Sequence, residues 1–225
     1  MKTALKLSLT LTTLTLSSAL TVLADAPLRN DGMLIPDYIV AGDGTLDSPH
    51  DLLYDMDPCD PNQPDVLCQV LKPDGQPLTF GEFSQASGTA SVKCMDKGTH
   101  VVINASGLIP KGVYTVWLLT FAAPGFTPDF VNLNAEVPLG SPDGTQNSFT
   151  ASAAGEAAIS AFHPAGSLTG SNDVSDCLLD EFEFHFVLVY HPDGQTYGPT
   201  PGPADALNPL CYFVEQLAFV FSSAL

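Results

Sequence analysis

The chain has 225 residues, with 25 Asp plus Glu against 7 Lys plus Arg and a formal net charge of −18. Such a balance repels phosphate backbones and anionic membranes, which excludes nucleic acid as a partner. At 45% hydrophobic residues the composition is that of a folded protein and not of a disordered acidic tail.

In chain order, the first element is a basic start, Met1 to Lys6, followed by an uncharged stretch from Leu7 to Leu23 and the small-residue sequence "VLADA". This pattern predicts a secretory signal peptide over 1–24, with cleavage after Ala24 or Ala26. The expected localisation is therefore secreted or periplasmic. No later segment is apolar for long enough to form an integral membrane span after cleavage. Residues 25–77 read as an irregular, acidic N-terminal extension in which only "YIVAG" and "VLCQVL" suggest short strands. The main domain is expected over 78–225.

That domain reads as all-β. "GTASVKCM" (88–95), "THVVINAS" (99–106), "GVYTVWLLTF" (112–121) and "GEAAISAF" (155–162) are short runs bounded by Gly, Pro, Asn and Asp. "EFEFHFVLVYHPDG" (181–194) and "FVEQLAFVF" (213–221) complete the set. "GVYTVWLLTF" is apolar on both parities and is expected at the centre of a sheet. Alternation places Phe182, Phe184, Phe186, Leu188 and Tyr190 on a core face. It leaves Glu181, Glu183, His185, Val187, Val189 and His191 on an outer, polar one. In the last run, Phe213, Leu217, Phe219 and Phe221 share a face, with Glu215 as the exception. Three "PDG" tripeptides, at Pro73, Pro142 and Pro192, predict tight turns in which Pro presets φ, Asp caps and Gly takes positive φ.

All five cysteines lie in the exported part, where disulfides form. Proximity pairs Cys59 with Cys68, and the adjacency of the last two strands pairs Cys177 with Cys211, leaving Cys94 over.

"SGLIPKGVYTVW" (106–117) resembles the arch of fibronectin type III and other immunoglobulin-like sandwiches, in which a tyrosine folds its hydroxyl back onto the backbone of the arch. Gly107, Leu108, Pro110 and Tyr114 carry the resemblance. It implies an immunoglobulin-like antiparallel β-sandwich and brings no functional site with it.

Candidate chemistry is sparse. Glu183 and His185 stand two apart on one strand face and suit one divalent metal ion, if His163 or His100 supplies a third ligand. His191 lies about 20 Å further along an extended strand, too far to join them. Asp51, Asp55, Asp57, Asp60 and Asp65 crowd a loop that suits Ca2+, without EF-hand spacing. No nucleophile elbow or phosphate-cradling loop occurs. "YGPTPGPADALNPL" (197–210) is a stiff loop suited to recognition. The expected function is a non-catalytic binding or structural module for a protein, glycan or small-molecule ligand. The alternative is a small secreted metal-binding protein built on His185 and Glu183.

Overall fold

The structure, a computed structural model, describes residues 27–36, 39–42, 44–58, 62–63, 65–168, 177–203 and 212–223. The signal-peptide region, Cys59, Asp60 and the whole 204–211 loop segment, Cys211 included, fall outside these residues.

The strands in order are β1 (Leu28–Asp31), β2 (Met33–Leu34), β3 (Ile39–Ala41), β4 (Leu53–Pro58) and β5 (Leu67–Gln69). A one-turn helix, α1 (Phe80–Phe83), is closed at its start by a reciprocal capping box between Thr79 and Glu82. Then come β6 (Ser87–Met95), β7 (Gly98–Ser106), β8 (Val113–Phe121), β9 (Leu133–Pro138), β10 (Ser148–Thr150), β11 (Ala157–Pro164), β12 (Glu183–His191) and β13 (Val214–Ser222).

These form an all-β sandwich of antiparallel sheets. The first sheet runs β1-β6-β7-β11, and the second runs β8-β12-β13-β2, with β9 and β10 sharing the free edge of β8. The apolar positions of each strand explain the pairing of the sheets. Val101 and Ile103 of β7 and Ile159 and Ala161 of β11 point inward. They join Val116 and Leu118 of β8 and Phe184, Phe186, Leu188 and Tyr190 of β12 in one core. Burying each large side chain contributes about 1.5–3 kcal/mol, which accounts for the aromatic inner face of β12.

Among its described residues the N-terminal extension contains five short strands. β1 edges the first sheet, and one residue later β2 edges the second, so the chain changes sheets at Gly32. A side chain there would meet the Phe219 ring at 2.7 Å. β3, β4 and β5 form a small third sheet, and Ile39, Leu53 and Val70 from this region belong to the main core. β1 and β2 pair with strands more than 50 residues away, which local composition does not record, whereas β3 and β5 fall within the "YIVAG" and "VLCQVL" runs and pair locally through β4.

Three identical turns occur at the "PDG" sites. In each, Gly adopts φ between 72° and 79°. In each, the Asp side chain accepts the amide two residues on, from Gln76, Thr145 and Gln195 at 3.0, 3.1 and 3.1 Å.

Two sequence expectations change. A bulge in β13 opposite Leu188/Val189 shifts the register. Val214 and Leu217 therefore face the core, while Phe213 joins the apolar cluster on the outer face. The second change is the disulfide: Cys177 is bonded to Cys94, with a Cα–Cα distance of 5.4 Å, and is not paired with Cys211. Cys177 opens the short 3₁₀ turn Leu178–Asp180 that leads into β12, and this turn lies against the end of β6. The bridge thus ties the first sheet to the entrance of the second. Cys68 is also disulfide-bonded, and its expected partner Cys59 lies outside the described residues.

Candidate functional site

The outer face of the second sheet is not the solvated polar face that alternation implies. Trp117, Leu119 and Phe121 of β8, Val187 and Val189 of β12 and Ala218 of β13 form a second apolar cluster there. The 122–132 loop covers it, with Phe130 packed against it and Phe126 edge-on to Phe121 at 5.6 Å between ring centroids. The loop is internally held: Ala122 N–H donates to Asn132 O at 2.9 Å, and the Asn132 amide donates to Gly125 O at 3.0 Å.

Between this loop, β2 and the sheet lies a cleft of about 150 Å³. An apolar cavity of that order accepts a single six-membered ring. Its walls are mainly Leu34, Ile35, Leu119, Phe130, Val187 and Ala218, and its rim carries the exposed side chains of Met33 and Phe126.

Two polar residues, Glu215 and His185, line this otherwise apolar cleft, and His185 is the buried one. His185 lines the cleft and is 7% exposed. Its Nε2 lies 2.8 Å from Glu183 Oε1, which also accepts the Phe126 amide at 2.9 Å. The loop backbone approaches this carboxylate closely: at Gly125, where φ is +101°, a side chain would stand 2.5 Å from Glu183 Oε2. Burial lowers the His185 pKa below its ordinary value despite the opposing pull of Glu183. The ring is therefore neutral at pH 7 and donates Nε2–H to Glu183, which leaves Nδ1 as a lone-pair acceptor. Among the described residues no hydrogen bond reaches Nδ1.

The structure thus brings Glu183 and His185 together, but among the described residues it does not bring them a third ligand. His163 shares the inward parity of Ile159 and Ala161 in the first sheet, whereas His185 faces outward from the second. His163 donates to Ser167 Oγ at 2.8 Å, since that hydroxyl itself donates to Pro164 O, and burial pushes its pKa down to about 4. His100 pairs with Ser160 across the first sheet at 2.9 Å. In the acidic loop, Asp51 accepts the amides of Asp47 and Ser48 at 3.1 and 2.8 Å. Among the described residues no group of three or more His, Cys, Asp or Glu is gathered to hold Ca2+ or another metal.

His191, at the other end of β12, belongs to a closed relay. Trp117 Nε1–H donates to Thr115 Oγ1 at 2.9 Å, that hydroxyl lies 2.8 Å from His191 Nε2, and His191 Nδ1–H donates to the Tyr212 carbonyl at 3.0 Å. With every polar atom engaged, the relay supports structure.

Sequence reasoning singled out His185 and Glu183 but not the groups that make a site around them. The available signal was "APGFTPDF", in which two phenylalanines occur within a Pro-, Gly- and Asp-rich connection. A turn needs no such side chains.

No family model matches the chain, and no significant match was found among curated proteins.

Proposed function

We propose that this chain is an exported, non-catalytic binding module of immunoglobulin-like architecture, and that its ligand site is the cleft over His185. The observation that carries the reading is a ring-sized apolar cleft with one buried, neutral histidine oriented by a carboxylate. Sites for small ligands combine these two features, an apolar wall for affinity and a fixed polar group for orientation. The ligand class is a small cyclic or aromatic group bearing one hydrogen-bond donor for Nδ1. Export is supported by the basic and apolar N-terminus, and the Cys94–Cys177 disulfide fits an oxidising compartment.

The architecture is supported by strand order. β6, β7 and β11 fall in A-B-E order, and β9, β8, β12 and β13 in C′-C-F-G order. The tyrosine arch then joins B to C, whereas immunoglobulin-like domains carry theirs at the E–F corner. The likeness is one of architecture rather than of position-by-position kinship.

Trp117, the single tryptophan, belongs to the same outer cluster and reports on the cleft. Phenol and toluene titrated into the protein should perturb Trp117 fluorescence and the His185 imidazole resonances, phenol at lower concentration. Ala218→Phe, which fills the cleft, should abolish both responses. Failure of either compound to bind at millimolar concentration, or unchanged binding in Ala218→Phe, would refute the site.

A further inference from the structure

We propose that the Cys94–Cys177 disulfide is a thiol-exchange site, attacked at Cys94 by a small thiol or dithiol and releasing Cys177 as the thiolate. This role is separate from the cleft and does not depend on it.

The two sulfurs differ in their surroundings. Cys94, near the end of β6, is exposed, whereas Cys177 is 7% exposed. In thiol–disulfide exchange the accessible sulfur is attacked, and the sulfur better stabilised as an anion leaves. Donors are already aimed at Cys177. Its Sγ accepts the Leu179 amide at 3.3 Å, because Cys177 is the N-cap of the 3₁₀ turn. Thr99 Oγ1 stands 3.7 Å from the same sulfur. Since Thr99 Oγ1 accepts the Leu178 amide at 2.9 Å, its hydroxyl hydrogen is free to donate to the sulfur. Both bonds strengthen when the sulfur becomes a thiolate.

His163 borders the same region with an unused acceptor. Its Nδ1 is buried with no hydrogen-bond partner. The residue lines a pocket of about 10 Å³ together with Thr99 and Cys177. Among the described residues the oxidised protein offers this nitrogen no donor. Once Cys177 is reduced and protonated, its S–H can serve as that donor.

The incoming thiolate forms a bond to Cys94 Sγ, the Cys94–Cys177 bond breaks, and its electron pair remains on Cys177. A second thiol equivalent then resolves the mixed disulfide at Cys94, leaving two protein thiols and one small-molecule disulfide. The protein loses its covalent tie between the sheets.

The test uses the folded chain with glutathione, quenched by alkylation and mapped by peptide mass. We expect glutathione on Cys94 with alkylated Cys177, at a rate independent of urea below the unfolding transition. Thr99→Val should slow the reaction about tenfold, the effect of losing a hydrogen bond to a charged sulfur, and Thr99→Ser should restore it. Near-ultraviolet circular dichroism checks that each variant is folded, and mapping on the wild type stands without any variant. Glutathione on Cys177, a rate that follows global unfolding, or equal rates in folded Thr99→Val and wild type would overturn the proposal.

Discussion

Tyr114 and Gln216, 102 residues apart in sequence, share a 2.8 Å hydrogen bond in the interior. The Tyr114 hydroxyl donates to Gln216 Oε1 and accepts the Ile109 amide at 2.8 Å, and Gln216 Nε2 donates to the Phe83 carbonyl at 2.8 Å. A buried glutamine is thus fully engaged, and the arch before β8, the bulge in β13 and the end of α1 meet at one point. The bulge turns Gln216 inward to reach it.

Tyr114→Phe should therefore cost about 2 kcal/mol, because two buried groups, the Ile109 amide and Gln216 Oε1, each lose a partner. Urea denaturation of the variant measures this. A double-mutant cycle with Gln216→Met should give a coupling energy above about 0.5 kcal/mol. Additive effects would mean that the two side chains act independently.

Stability should fall as pH drops from about 6.5 towards 4. His163, His185 and His191 are all buried with pKa values lowered by burial, His163 to about 4. A histidine whose folded pKa is depressed binds fewer protons folded than unfolded between the two values. Its contribution is complete above the unfolded value near 6.5 and is lost as pH falls through the folded value. For His163 the loss amounts to about 3 kcal/mol at completion. Urea midpoints from pH 7.5 to 4 should show this slope, and His163→Leu should reduce it. A flat profile over that range would contradict the burial of these rings.

His185→Ala should destabilise by about 2 kcal/mol. The ring packs against Phe121 and Phe126, with centroids 4.7 and 5.7 Å away, and holds the Glu183 carboxylate. Its removal opens a cavity and takes one partner from a partly buried acid. Read as an outer-face residue from sequence alone, it would be expected to change stability by less than about 1 kcal/mol. The two expectations differ enough to separate in a melt. Chelator should leave the melting of wild type and variant unchanged. A chelator-sensitive wild type and an insensitive variant would instead establish a metal at His185 and Glu183.

What the sequence determined by itself were features written in neighbouring residues. The "PDG" turns follow from the φ preference of Pro, the capping reach of Asp and the positive φ of Gly, so each of the three forms the same way. The strand runs and the inner face of β12 follow from period-two alternation, and β8 is central because both its faces are apolar. Tertiary structure alone decided features that depend on distant partners. The 122–132 loop and β2 converted the outer face of β12 from polar to buried, and His185 became a cleft residue. Placement of β11 in the first sheet pointed His163 inward and away from it. One extra residue in β13 reversed the face of Phe213, which no alternation pattern can register. Cys177 bonded to Cys94 because the turn before β12 lies at the end of β6, although the adjacency of the last two strands favoured Cys211. The physical reason is the same in each case: turns and strand faces are fixed by bonds within a few residues, whereas coverage, register and cross-links depend on which surfaces meet when the sheets pack.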